Sequence, residues 1–191
     1  MVKKIIVGLL LVISIVCWIF PVSAEDIAMF HYNAAHTGDY SPVAGTTGTT
    51  VSLFWSNTTR GIVDSSPTVA NGMVYVGSWD YNVYAFDATT GVQKWKSPTS
   101  SIVEGSPAVA YGMVWAGNYN GDLYAFDATT GAQKWKSSTG KTGKTCPTFA
   151  DGRVFVSTYD GDVIAFNAGT GARLWTYPTG TGMDSSPTVA G

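Results

Sequence analysis

The sequence predicts an all-β fold: a partial β-propeller of three complete four-stranded antiparallel blades, with partial strands at both ends. Three observations carry that expectation. Tryptophan recurs every 40 residues, at Trp55, Trp95, Trp135 and Trp175. Proline keeps the same interval at Pro67, Pro107, Pro147 and Pro187. Within each interval, short β-branched and aromatic runs alternate with turn dipeptides, and the helical period is absent after residue 24. A fixed period of this size without insertions is one supersecondary unit copied head to tail, one blade per unit.

Residues 1–24 stand outside the repeats. Lys3 and Lys4 precede an apolar run over 5–20, and the small-residue pattern at Ser23 and Ala24 follows it. This reads as a secretory signal peptide cleaved after Ala24. An uncleaved membrane anchor is the alternative, although the run is short for a span of ~17–25 residues. Either way the rest of the chain is expected outside the cytoplasm: secreted, periplasmic or at the cell surface. That remainder carries nine basic and thirteen acidic side chains, so it has no electrostatic footprint for nucleic acid. Cys17 lies in the apolar run, and Cys146 is the one cysteine beyond it. No internal disulfide is available, and stability must come from packing between blades.

Residues 25–50 form a polar, Gly- and Thr-rich lead-in, and residues 51–191 hold the repeats. A short strand at 51–55 falls in phase with them. Three units follow at about 64–103, 104–143 and 144–183, and a stub at 184–191 restarts the pattern. In the first unit, strand A is expected at 67–70 and strand B at 73–78, with the hairpin dipeptide Asn71-Gly72 between them. Strand C is expected at 83–87 and strand D at 92–96, with turns at 80–82 and 88–91. Val83 and Ala85 alternate with Tyr84 and Phe86, so strand C is apolar on both faces and needs a neighbouring sheet on each side.

The C-to-D segment repeats a specific pattern. The first unit has Ala85, Asp87, Thr90, Gly91 and Trp95. The second has Ala125, Asp127, Thr130, Gly131 and Trp135. The third has Ala165, Asn167, Thr170, Gly171 and Trp175. This A-x-[DN]-x-x-T-G-x-x-x-W spacing, with Ser-Ser-Pro-Thr-Val-Ala ahead of it in the first unit, resembles the tryptophan-docking motif of the PQQ-like (pyrroloquinoline-quinone-type) β-propeller repeat. Met29, Phe30, His36, Thr37 and Gly38 resemble the lead-in that opens such propellers. The resemblance covers roughly residues 27–191.

The motif also makes sense from its chemistry. Glycine permits a backbone in the turn that other residues resist, and Asp and Thr can cap the turn through local backbone bonds. A small Ala85 leaves room for an indole from a neighbouring blade. Each docked tryptophan buries ~150–250 Å² and wants a partner for its N–H. The four tryptophans are therefore expected to be structural.

The resemblance implies two kinds of relative. One is the quinoprotein dehydrogenase, with PQQ and usually Ca²⁺ over the channel mouth. The other is the non-enzymatic, BamB-type propeller, a protein-binding scaffold. Many of the enzymes place a disulfide of adjacent cysteines against the cofactor, and this chain has no such pair. Cys146 replaces the serine found at Ser66, Ser106 and Ser186, and reads as a small substitute for it. The residues themselves suggest no cofactor and no catalytic group; PQQ and Ca²⁺ enter through the resemblance alone.

Other motifs weigh little. The run 140–145 looks like a phosphate loop, but Ser138 stands where the first glycine is required, and the segment joins two strands. Asn120-Gly121-Asp122 and Asp160-Gly161-Asp162 have too few ligands for calcium and read as hairpin turns. His31 and His36 lack a third metal ligand nearby. Asn57-Thr58-Thr59 is a glycosylation sequon.

In an up-and-down blade the D–A and B–C connections emerge on one face. Asp64, Glu104, Lys144 and Asp184 occupy equivalent D–A positions, and Trp79, Tyr119 and Tyr159 equivalent B–C positions. The resemblance implies that this would be a ligand face; the competing reading is that the rings pack between blades and the charges are solvated. Closed propellers use ~4–8 blades, so the chain is expected to be a fragment of a longer propeller or to self-associate to complete a ring. The expected function is a non-enzymatic scaffold for an unidentified protein partner. The alternatives are a truncated or split PQQ- and Ca²⁺-dependent dehydrogenase and, more weakly, a carbohydrate-binding or adhesion module.

Overall fold

A computed structural model of the chain describes residues 53–140 and 146–189. The expected signal peptide, the lead-in with His31 and His36, Lys144 and most of the phosphate-loop-like run lie outside those residues. The described residues contain no helix. They form three four-stranded antiparallel meanders.

The first blade consists of β1 (Thr68–Ala70), β2 (Met73–Ser78), β3 (Asn82–Asp87) and β4 (Gln93–Pro98). The second consists of β5 (Ala108–Ala110), β6 (Met113–Gly117), β7 (Asp122–Asp127) and β8 (Gln133–Ser138). The third consists of β9 (Thr148–Ala150), β10 (Arg153–Ser157), β11 (Asp162–Asn167) and β12 (Arg173–Pro178). Each fourth strand begins one residue later and ends two residues later than the sequence pattern suggested. The tryptophan therefore sits at the third position of strand D.

Local chemistry fixes this register. Asn71-Gly72, Tyr111-Gly112 and Asp151-Gly152 have positive φ at both positions, the backbone that matches the twist of a two-residue hairpin. The C–D turn is tied to the same end, because the amide of Ala88 donates to the carbonyl of Gly72 at 2.9 Å. A bulge recurs between Ala85 and Phe86, Ala125 and Phe126, and Ala165 and Phe166. It places Trp95, Trp135 and Trp175 opposite those alanines. At the other end, the amides of Thr99, Thr139 and Thr179 donate to the carbonyls of Tyr81, Gly121 and Gly161.

The blades stack face to face. Tyr75, Val83, Ala85 and Trp95 of the first blade pack on Val114, Ala116, Tyr124 and Phe126 of the second. The opposite face of the second blade packs Trp115, Leu123, Ala125 and Trp135 on Val154, Val156, Ile164 and Phe166 of the third. The middle blade is buried on both sides, as strands apolar on both faces require. The inner strands are bridged as well: Thr68 Oγ1 donates to the carbonyl of Pro107 at 2.6 Å, and Thr148 Oγ1 to that of Pro187 at 2.6 Å.

The expected partial strands at the two ends are corrected. Residues 53–59 and 186–189 carry no strand, because a strand needs a ladder and no strand among the described residues pairs with either segment. They are held by side chains instead. Trp55 packs on Phe86 and Asn57 binds the first blade, while Ser157 Oγ donates to the carbonyl of Ser185.

Candidate functional site: the faces and interblade contacts of the array

The repeated motif builds the interblade contact. Trp55, Trp95 and Trp135 each donate Nε1–H to a carbonyl 33 residues onward, at Ala88, Ala128 and Ala168, with distances of 2.9, 2.9 and 3.0 Å. Two residues after each tryptophan, Asn57, Ser97 and Ser137 donate to the carbonyls of Gly91, Gly131 and Gly171. The close approach is at glycine: a Cβ on Gly131 would lie 2.7 Å from Trp95 Cδ2, and its φ is +73°. The expectation that Ala85, Ala125 and Ala165 receive the neighbouring indole is therefore refined. Each lies opposite the tryptophan of its own blade, and the indole of the preceding unit sits on the turn glycine. Trp175 is 43% exposed against 7% for Trp95 and 9% for Trp135.

Asp87 Oδ1 accepts the amides of Thr89 and Thr90, and Lys94 Nζ lies 3.1 Å from Oδ2. The Thr90 amide and then Lys94 hold the Asp87 carboxyl at about 2. Asp127 repeats the arrangement with Lys134 at 3.1 Å, and its carboxyl is likewise held at about 2, by Lys134 first and then the Thr130 amide. Asn167 Oδ1 accepts the same two amides, from Gly169 and Thr170, without charge. These groups are engaged in turn formation. Asn57 Nδ2, the atom a glycan would take, is the donor to Gly91.

On the B–C and D–A face, the amides of Trp79 and Tyr119 donate to the carbonyls of Ile62 and Ile102, both at 2.9 Å. Tyr119 and Tyr159 meet edge to face with ring centroids 6.4 Å apart. Trp79 makes no ring contact with Tyr119 among the described residues. All three rings are partly exposed, and so are Asp64, Glu104 and Asp184. The structure joins two of the three predicted rings, Tyr119 and Tyr159.

Two polar networks on this face escaped the sequence reading. Asp80 Oδ2 accepts the Tyr84 hydroxyl at 2.5 Å and the Arg60 amide at 3.2 Å. Burial and then the Asp80 contact push the Tyr84 phenol up to about 12. In the second blade the carboxylate moves to Asp122, which accepts Ser100 Oγ at 2.7 Å and pairs with Lys136 at 2.9 Å. Burial works against ionising Asp122, but Lys136 and Ser100 still hold its carboxyl below the usual range. Aligning the units gives no warning, because the acid shifts by two positions between them. Asp122 is committed to these partners.

The fit of the described residues to Ca²⁺ is poor. Calcium takes 6–8 oxygens, and among the described residues no three His, Cys, Asp or Glu side chains cluster to hold a metal. Asp80 and Asp122 of this face are taken up by Tyr84 and by Ser100 and Lys136. Cys146 is half-buried and unbridged.

The blade repeat and the meander topology agree with the comparisons. A family described as outer membrane protein assembly factor BamB matches residues 32–110 and 97–190. The chain belongs to this family of PQQ-like repeat β-propellers. A search of curated protein sequences gave no match. Among solved structures, the chain is similar to BamB from Moraxella catarrhalis at 22% identity and a TM-score of 0.66, covering 73% of this chain and 48% of that one. It is similar to a quinohemoprotein alcohol dehydrogenase from Pseudomonas putida at 28% identity and a TM-score of 0.55, covering 61% and 20%. A europium-containing methanol dehydrogenase aligns at 24% identity and a TM-score of 0.59, covering 79% and 31%. The chain thus spans about half the length of that BamB and less of the enzymes. The BamB and methanol dehydrogenase likenesses speak for the fold alone.

Proposed function

We propose that the chain is an extracytoplasmic, non-enzymatic PQQ-like propeller segment that works as a protein-binding scaffold. The observation behind this reading is how the repeated polar groups are used. The polar atoms of Asp87, Asp127, Lys94, Lys134, Trp55, Trp95 and Trp135 serve turns or interblade bonds, while aromatic rings stay exposed on the B–C face with no metal-ligand cluster among the described residues. Exposed aromatics on a rigid frame suit recognition of another protein. The signal-like segment at 1–24 and the family match support an extracytoplasmic site.

A truncated or split quinoprotein dehydrogenase is the second reading, motivated by the 28% identity to the alcohol dehydrogenase. Titration with PQQ and Ca²⁺, followed by absorbance and dye-linked alcohol oxidation, separates the two. The scaffold reading expects no saturable binding and no turnover; saturable PQQ binding with turnover overturns it. A carbohydrate-binding role would instead show as glycan-array binding lost in Trp79→Ala and Tyr119→Ala.

A further inference from the structure

The opposite end of the array, where the A–B and C–D turns lie, holds a pocket of about 420 Å³ between the second and third blades. Its lining includes Tyr111, Met113, Trp115, Phe149 and Asp151. Phe149 stacks on Trp115 with centroids 5.1 Å apart and an interplanar angle of 9°, and Tyr111 leans on Phe149 at 5.4 Å. Asp151 has no ion-pair or hydrogen-bond partner among the described residues. The basic residue nearest to it in sequence, Arg153, alternates on β10 with Val154, which faces the second blade, so the guanidinium belongs to the other face of the sheet.

Tyr111 is the second, independent sign. It is 89% exposed and has a φ of 47° in a hairpin position that demands the left-handed region. The same position holds Asn71 in the first unit and Asp151 in the third, types that tolerate this backbone where a bulky ring does not. With so little of the ring buried, packing offers small return for that strain. Strain of this sort gathers at ligand clamps. The pocket also departs from the repeat: Val109 stands in the first interface where Phe149 stands here, and Tyr111 where Asp151 stands.

We infer that this pocket receives a lysine or arginine side chain of a partner polypeptide. The Met113 and aromatic walls suit an aliphatic stem. The exposed Tyr111 ring attracts a cation, and the Asp151 carboxylate completes the site with a charge-assisted hydrogen bond. The inference deepens the scaffold reading and rests on it for the polypeptide nature of the ligand.

The test is calorimetric or NMR titration of the full chain with acetyl-Gly-Lys-Gly-amide, its arginine counterpart and a norleucine counterpart. The expected result is saturable binding of the two basic peptides, with norleucine weaker by about fivefold or more. Asp151→Asn and Tyr111→Asn should each weaken the lysine peptide by about threefold to tenfold. Tyr111→Asn should at the same time raise the melting temperature, because it restores the residue the first unit uses. The proposal is overturned if norleucine binds as well as lysine, if neither variant changes Kd, or if butylammonium alone binds as tightly as the peptide. PQQ turnover would end the scaffold reading in its own assay, whereas these titrations report on the pocket alone.

Discussion

The indole N–H of Trp95 reaches the carbonyl of Ala128, 33 residues onward and in the next blade, at 2.9 Å. The same indole lies against Gly131, whose φ of +73° few side chains adopt comfortably. One tryptophan therefore reads both a hydrogen-bond acceptor and a missing Cβ. Gly131→Ala should destabilise the protein by about 2–4 kcal/mol, combining left-handed strain with overpacking. Gly112→Ala, at a similar φ but with nothing within 4 Å of the added Cβ, should lose only about 1 kcal/mol. Urea unfolding midpoints of the two variants check the difference; equal losses would remove the docking argument.

Trp95→Phe removes the Nε1 donor and leaves the Ala128 carbonyl short of a partner. The expected loss is about 1–3 kcal/mol. Trp175→Phe acts on a half-exposed ring, and should change stability by less than about 0.5 kcal/mol. Thermal unfolding of the pair is the measurement, and a larger effect at Trp175 would contradict the packing described.

Acid sensitivity should localise to two turns. Asp87 and Asp127 are held at about 2 against an ordinary 3.8. A carboxyl lowered on folding adds stability that is present above its unfolded value and disappears as pH falls toward its folded one. Stability should therefore drop between about pH 4 and pH 2. The double variant Asp87→Asn/Asp127→Asn should flatten that slope in chemical unfolding across the range. Asn167 indicates that the turn itself survives the change, since it makes the same two amide bonds uncharged.

Tyr84 titrates in the other direction. Its phenol is raised to about 12 from 10.0, so its contribution is complete below the unfolded value and is lost as pH rises through the folded one. Asp80→Asn should lower the midpoint of tyrosinate absorbance assigned by comparison with Tyr84→Phe. The return toward 10.0 should be partial, because burial is the larger cause. A midpoint that does not move would show that Asp80 exerts no hold on this hydroxyl.

The strand layout was legible because alternation and turn dipeptides are local signals. Met73–Ser78 was placed to the residue, and strand C to within one. What failed was what depends on a partner. Residues 53–55 look like a strand in composition, yet no strand pairs with them, and Trp55 binds through its side chain instead. The indole was assigned to Ala85 on size, whereas the structure gives it to Gly91; a single repeat does not display a contact made between two. On the B–C face the positions of Tyr119 and Tyr159 were legible, but their contact was not, and Trp79 stays outside it. The pocket beside Tyr111 had one available signal, a tyrosine ahead of glycine where the first unit has asparagine.

The equal spacing of the docking bonds makes the array a chain of interchangeable cassettes. Removing residues 104–143 as one block would leave Trp95 as far ahead of Ala168 as it now stands ahead of Ala128. The donor, the acceptor and the bare glycine would meet again without adjustment. A protein built this way can lengthen or shorten by recombination in whole units without relearning how its parts touch, whereas a gain or loss of a few residues between a tryptophan and its acceptor would change the one docking separation that spans it.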